Sequence, residues 1–189
     1  MSVYIALLRG INVGGHNKMK MADLREALGA IGLARVQTYI QSGNILFESE
    51  EDEAHLRQRI EQQIEKVFGL SIKSVLRTST ELKRIGASCP FTEKQIADAE
   101  ATSEGECLYV TILADEPQAE RIDKLKEFDS KDDQFQIVGR DVFLLYGKSA
   151  RNSKLAIQVE KLGVLATTRN WKTINKLISL CEEMEAKIT

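Results

Sequence analysis

Arg9-Gly10-Ile11-Asn12-Val13-Gly14-Gly15-His16-Asn17-Lys18 joins a strand-like run to a helical pattern, and its residue types are those best suited to chemistry. Three of the chain's 12 glycines fall between Gly10 and Gly15. Glycines at a strand-to-helix turn let backbone N–H groups converge without obstruction from Cβ, and a helix N-terminus behind them adds partial positive charge. Arg9, His16, Lys18 and Lys20 lie in or beside this loop, with no acid between Arg9 and Met21. Such a loop can hold an anion, and a small phosphate-bearing ligand is the partner it implies. It is not a P-loop, because His16-Asn17 follows Gly15 where Lys-Ser/Thr is required, and Gly-x-Gly-x-x-Gly is absent. The glycines would equally serve a tight turn with solvated cations around it, and the sequence leaves both readings open.

Two further segments carry polar chemistry. In Thr38-Tyr39-Ile40-Gln41-Ser42-Gly43-Asn44, the side chains of Gln41, Ser42 and Asn44 can each donate and accept hydrogen bonds. Ser, Gly and Asn are also what turns are made of, and a ferredoxin-like sheet is expected to place this turn at the edge opposite the glycine loop. From Lys148 to Lys176 the chain sets seven cations, Lys148, Arg151, Lys154, Lys161, Arg169, Lys172 and Lys176, against Glu160 alone. Within that stretch Thr167-Thr168-Arg169-Asn170-Trp171 holds the single tryptophan, and an arginine beside an indole can stack on a base or clasp a phosphate. The alternative is structural: Asn170 caps the last helix and Trp171 opens its buried face.

Catalytic groupings are sparse. Of the two histidines, His55 follows the acidic run from Glu48 to Glu53, so only His16 is placed for nucleophile activation, and no Ser or Cys can be paired with it. Cys89, Cys107 and Cys181 are odd in number, far apart and without Cys-x-x-Cys spacing, which reads as reduced thiols in a cytosolic protein. Neither a metal site nor a cofactor is expected, and the catalytic residues, if any, stay unknown.

The elements that would position these residues follow from periodicity. Val3 to Leu8 reads as a buried strand. Met21, Leu24, Leu28 and Ile31 mark a helix stopped by Gly32; Val36 to Ile40 and Ile45 to Phe47 form a hairpin; Leu56, Ile60, Ile64 and Val67 mark a second helix, with Asp52 as its cap and Gly69 at its end; Ile72 to Leu76 is a strand. The order β-α-β-β-α-β is ferredoxin-like. After a helical connector with a Thr92-x-x-Gln95 capping box, the second half repeats it: Leu108 to Leu113, a helix after Pro117, a hairpin around Gly139-Arg140-Asp141, a helix through Leu155, Val159 and Leu162, a short strand from Leu165 to Thr168, and a C-terminal helix. The expected fold is α+β, two ferredoxin-like halves with antiparallel sheets plus that extra helix. The expected divisions are residues 1–80, a connector over 81–106, and residues 107–189. No repeat of residue identities links the halves.

Composition narrows the function classes. With 189 residues, 26 Lys and Arg against 28 Asp and Glu, and a formal charge of -2, the chain is no general nucleic-acid coat, though a nucleic-acid segment is not excluded. No apolar stretch approaches the roughly 20 residues of a membrane span, and the N-terminal run lacks a basic lead, so a cytoplasmic protein off the membrane is expected. Oligomeric state is not legible.

Four ordered strings resemble a known family: Tyr4 to Gly15, Met21-Ala22-Asp23-Leu24-Arg25, Thr38 to Asn44, and Thr167-Thr168-Arg169-Asn170-Trp171 with Thr173. The chain is similar over nearly its whole length to a bacterial domain of unknown function, family number 1697. The resemblance implies a two-part α+β fold of ferredoxin-like character and no established activity. It also implies that several of Arg9, Asn12, Gly14, Gly15, Gln41, Ser42, Asn44, Arg169, Asn170 and Trp171 share one surface. The reading placed first is a module binding a small anion (a nucleotide, phosphorylated metabolite or RNA segment) at the glycine loop, with His16 and Lys18 among its contacts. The alternatives are a small hydrolase laid out like an acylphosphatase, with Asn44 positioning water, and a protein-interaction module without catalysis.

Overall fold

A computed structural model describes residues 1–187. In chain order the elements are β1 (Ser2–Leu8), α1 (Met21–Gly29), β2 (Ala34–Tyr39), β3 (Asn44–Ser49), α2 (Glu53–Phe68), β4 (Ser74–Thr78), α3 (Ser79–Ala87) and α4 (Glu93–Thr102), then β5 (Leu108–Leu113), α5 (Ala119–Lys126), β6 (Gln134–Val138), β7 (Asp141–Leu145), α6 (Leu155–Glu160), β8 (Ala166–Asn170) and α7 (Trp171–Ala186). Two four-stranded sheets result, ordered β2-β3-β1-β4 and β6-β7-β5-β8, with every pairing antiparallel. The fold is α+β and each half has the ferredoxin-like order. By contacts the chain forms two units, residues 1–84 with those from Lys176 onward, and Ile85–Asn175.

In the first unit β1 is central and apolar on both faces. Tyr4, Ala6 and Leu8 join Leu24 and Leu28 of α1 and Leu56, Ile60 and Ile64 of α2 in one core, while the alternate residues Val3, Ile5 and Leu7 are also buried. That explains why the strand reads as an unbroken hydrophobic run. A bulge between Ala34 and Gln37 puts Arg35 in the left-handed region (φ 51°) and aims its guanidinium at buried Glu48, Nη1 to Oε1 2.6 Å, and at the Met184 carbonyl, 2.9 Å. Glu185 of α7 is held by Ser79 Oγ at 2.6 Å and Lys83 Nζ at 2.5 Å. Cys181 lies fully buried, and burial pushes its thiol up to about 11.

α2 begins as expected. Asp52 Oδ1 accepts from the His55 amide at 3.0 Å, and Gly69 ends the helix at φ 66°. The His55 ring also meets Asp52 Oδ2 at 2.5 Å. That side-chain hydrogen bond raises the histidine's pKa, while the His55 amide, followed by the ring, lowers the aspartate's. His55 therefore favours the folded state below its ordinary value, and this contribution fades as pH rises through the raised one. The Asp52 contribution is present above its ordinary value and fades as pH falls through the lowered one. An NMR titration should show His55 above the ordinary 6.5, and Asp52→Asn should return it there.

The second unit repeats this architecture at the level of single residues. Leu8 and Leu113 each close their strand by donating to a hairpin turn, to Gly43 O and Arg140 O, both at 2.9 Å. The next amides, Arg9 and Ala114, donate to Lys73 O and Leu165 O. Counting from these pairs, Arg77 opposite Ile5 in the first sheet and Arg169 opposite Val110 in the second occupy the same register. Both arginines are buried, 1% and 8% exposed, so each half holds a buried guanidinium at the same register although no repeat of residue identities links them. The Thr92–Gln95 capping box forms on α4, and β8 extends to Asn170, two residues beyond the expected strand.

Candidate functional site

The antiparallel pairing of β1 with β3, Leu7 opposite Asn44, puts the start of β3 beside the end of β1. The hairpin turn between β2 and β3 therefore meets the glycine loop. This corrects the expectation of opposite edges, which overlooked that in this strand order the second hairpin strand runs back along the first strand. Leu8 donates to Gly43 O, and Gly43, at φ 79°, sits directly under Ile11 and Leu8.

Asn12 fastens the two segments. It occupies the left-handed region at φ 53°, where asparagine is tolerated. Its Oδ1 accepts from the Met19 amide at 2.8 Å, and its Nδ2 donates to Met19 O at 3.0 Å and to Gln41 O at 2.8 Å. Asn17, at φ 47°, closes the loop by donating from Nδ2 to Gly10 O at 2.9 Å, while Asn12 N donates to Asn17 O at 3.2 Å. Ile11 and Met19 anchor the base in the core at 1% and 4% exposure.

The tip is a tight turn in which His16 N donates to Val13 O at 2.9 Å, and Gly14 and Gly15 have φ 57° and 79°. Two successive positive φ values match a type I′ turn and need glycine or asparagine. The amides of Gly14 and Gly15 have no carbonyl acceptor among the described residues. Arg9, Gly14, Gly15, His16, Lys18, Lys20 and Gln41 are all exposed. Lys20 stands at the N-cap of α1 and makes no capping bond there, leaving a cation beside the positive end of the helix dipole, with Asp23 the acid in the first turn.

Two features of this surface escaped the sequence. Val13 is 65% exposed, and Ile40 is 48% exposed at φ 51°, a conformation that costs a β-branched residue on the order of 1–2 kcal/mol. A turn alone would take Gly or Asn at Ile40. Strained backbone displaying an apolar side chain to solvent is a signal of function that no local propensity reveals.

The remaining sequence candidates take other roles. Asn44 is fully buried, its Nδ2 donating to Tyr39 O at 2.9 Å and Ser42 Oγ at 3.0 Å, which closes the hairpin and removes it from any position where it could direct a water at the surface. Arg169, Asn170 and Trp171 belong to the second unit. Arg169 Nη1 donates to Thr167 Oγ1 at 2.7 Å and Thr168 O at 2.9 Å, and burial lowers its pKa to about 10. Asn170 Oδ1 caps α7 by accepting from Thr173 N at 2.8 Å, and half-buried Trp171 packs 6.3 Å from the Phe143 ring. Lys172 is paired with Glu106 at 2.8 Å. Among the described residues no group of His, Cys, Asp and Glu is placed to hold a metal, and no helix is long and apolar enough to cross a membrane.

The family model described as a protein of unknown function (DUF1697) matches residues 1–143, a span that includes the whole loop and hairpin turn. Among solved structures, the conserved bacterial protein SP0830 from Streptococcus pneumoniae is similar at 26% identity and a TM-score of 0.73, over 95% of this chain and 98% of that one. No curated protein matches the chain.

Proposed function

The chain belongs to the DUF1697 family, and from that premise we propose that it binds a small phosphate-bearing ligand at the exposed tip of the Arg9–Lys18 loop. The observation that carries this reading is the Asn12 clamp, which holds a cationic, glycine-rich tip beside the hairpin turn as one preformed surface. The Gly14 and Gly15 amides and the His16 ring supply hydrogen-bonding groups, and Lys18 and Lys20 supply positive charge. Val13 and Ile40 flank them with apolar surface. Phosphate needs the first two features and a nucleobase the third, so a mononucleotide or a short unpaired RNA segment fits better than inorganic phosphate. A preformed loop also lowers the ordering cost of binding.

Fluorescence anisotropy with labelled mononucleotides and short single-stranded RNA, repeated across salt concentrations, tests the reading. Affinity should fall steadily with salt, and Lys18→Ala should weaken binding about 3–10-fold and flatten the logarithmic salt slope by roughly 0.7 for RNA, the share of one phosphate contact. Affinity that ignores both salt and Lys18→Ala would remove the proposal.

A further inference from the structure

The second unit holds a cleft of about 410 Å³, within the range of roughly 300–1,000 Å³ for small-molecule sites, walled by residues 128–133, 148–149 and 152–155 and by Glu104. Its walls are fastened together. Asp133 accepts from the Gly147 amide at 2.9 Å and from the Ser153 hydroxyl, and Ser153 Oγ accepts from the Leu155 amide at 3.0 Å. The Glu104 amide donates to Lys148 O at 2.8 Å. Gly147 packs so tightly that an added Cβ would stand 2.7 Å from the Asp132 carbonyl oxygen.

Charge decides what this cleft suits. Glu104, Asp129, Asp132 and Asp133 line it with Lys131, Lys148 and Lys154, so its lining is one negative charge from neutral and gives a multiply charged anion no net attraction. Asp133 is engaged by Gly147 and Ser153, and Asp132 by Lys148 at 3.3 Å. That leaves, on one side of the balance, the Glu104 carboxylate and the second oxygen of Asp129, whose Oδ1 accepts from the Lys131 amide at 3.0 Å. On the other are the ammonium groups of Lys131 and Lys154, both exposed and without an ion pair among the described residues. Half-buried Phe128 adds an apolar surface, backed by fully buried Leu155.

We propose that this cleft binds a small zwitterion with an apolar side chain, an α-amino acid or dipeptide. Its ammonium meets Glu104 and Asp129, its carboxylate meets Lys131 and Lys154, and its side chain covers Phe128. The proposal does not depend on the loop reading, since every lining residue lies in the second unit.

The test is a 15N NMR titration of the full chain with L-leucine and L-leucyl-L-leucine, beside N-acetyl-L-leucine, L-leucinamide and inorganic phosphate. One of the first two ligands should give saturable shifts among the amides of residues 128–133 and 147–155. Blocking either end of the ligand should weaken binding at least about fivefold, and a Lys131→Ala, Lys154→Ala variant at least about tenfold. Both lysines are exposed, so the variant keeps its fold, and an unchanged spectrum elsewhere verifies this. Four results overturn the proposal: no saturable shift, equal binding of the blocked ligands, indifference to the double variant, or saturation of the same amides by phosphate alone.

Discussion

Gly43→Ala is expected to destabilise the first unit by about 2–5 kcal/mol, from overpacking of roughly 1–3 and a left-handed cost of roughly 1–2. The backbone at Gly43 has φ 79°, and a methyl group there would lie 2.6 Å from Ile11 Cδ1 and 2.9 Å from Leu8 Cβ. Neither neighbour can yield easily: Leu8 is fully buried in the central strand, and Ile11 is 1% exposed at the root of the loop. Urea denaturation should show a lower midpoint with an unchanged slope. Gly15→Ala provides the contrast, because φ is also 79° there but nothing stands within 4 Å of the added carbon. It should lose only the conformational part. Equal losses in the two variants would show that the close packing of turn on loop has no energetic weight.

Asn12→Ala should cost about 2.5–6.5 kcal/mol, the loss of three hydrogen bonds at roughly 0.5–1.5 each together with roughly 1–2 for alanine at positive φ. The Met19 amide would be left without its acceptor at a position 4% exposed. The same change should weaken ligand binding at the loop by at least about tenfold, because ordering a released loop opposes association. Asn12→Asp keeps the acceptor and the tolerance of left-handed backbone but loses both donors, to Met19 O and Gln41 O. The carboxylate oxygen that replaces Nδ2 faces both carbonyl oxygens without a proton, so at neutral pH Asn12→Asp should be no more stable than Asn12→Ala by chemical denaturation. A neutral Asn12→Ala would mean that the loop is held by Ile11 and Met19 alone.

What the sequence made legible is what local patterning controls. Caps at Asp52, Gly69 and Thr92–Gln95 were readable because each uses side chains three residues apart or a single glycine. The order of elements followed from hydrophobic period, and with it the two antiparallel sheets. Long-range register was not readable from residue patterns, which set loop and turn at opposite edges; only the family resemblance implied that residues such as Asn12 and Gln41 share a surface. Burial also separated look-alikes. Asn12, Asn44 and Asn170 are all polar residues in turns or at element ends, yet one clamps the loop, one closes a hairpin inside the core and one caps a helix. The equivalence of Arg77 and Arg169 needs the strand pairings to be seen, because only the register with Ile5 and Val110 brings them into line.

The charge segregation along the sequence acquired a different meaning in the fold. Of the seven cations between Lys148 and Lys176, Arg169 is buried against threonines, Lys172 is paired with Glu106 and Lys148 with Asp132. The other four, Arg151, Lys154, Lys161 and Lys176, stand exposed, as do the cations of the glycine loop.

The most direct test of the loop surface is a 15N NMR titration of the full chain with a mononucleotide, following the amides of Gly14, Gly15, His16, Lys18 and Gln41. Loop and turn amides should shift together with one saturation curve, and Asn12→Ala should abolish the shared response. Saturable binding that leaves Gly14 and Gly15 unmoved, or no saturable shift at any of these amides, would contradict the account.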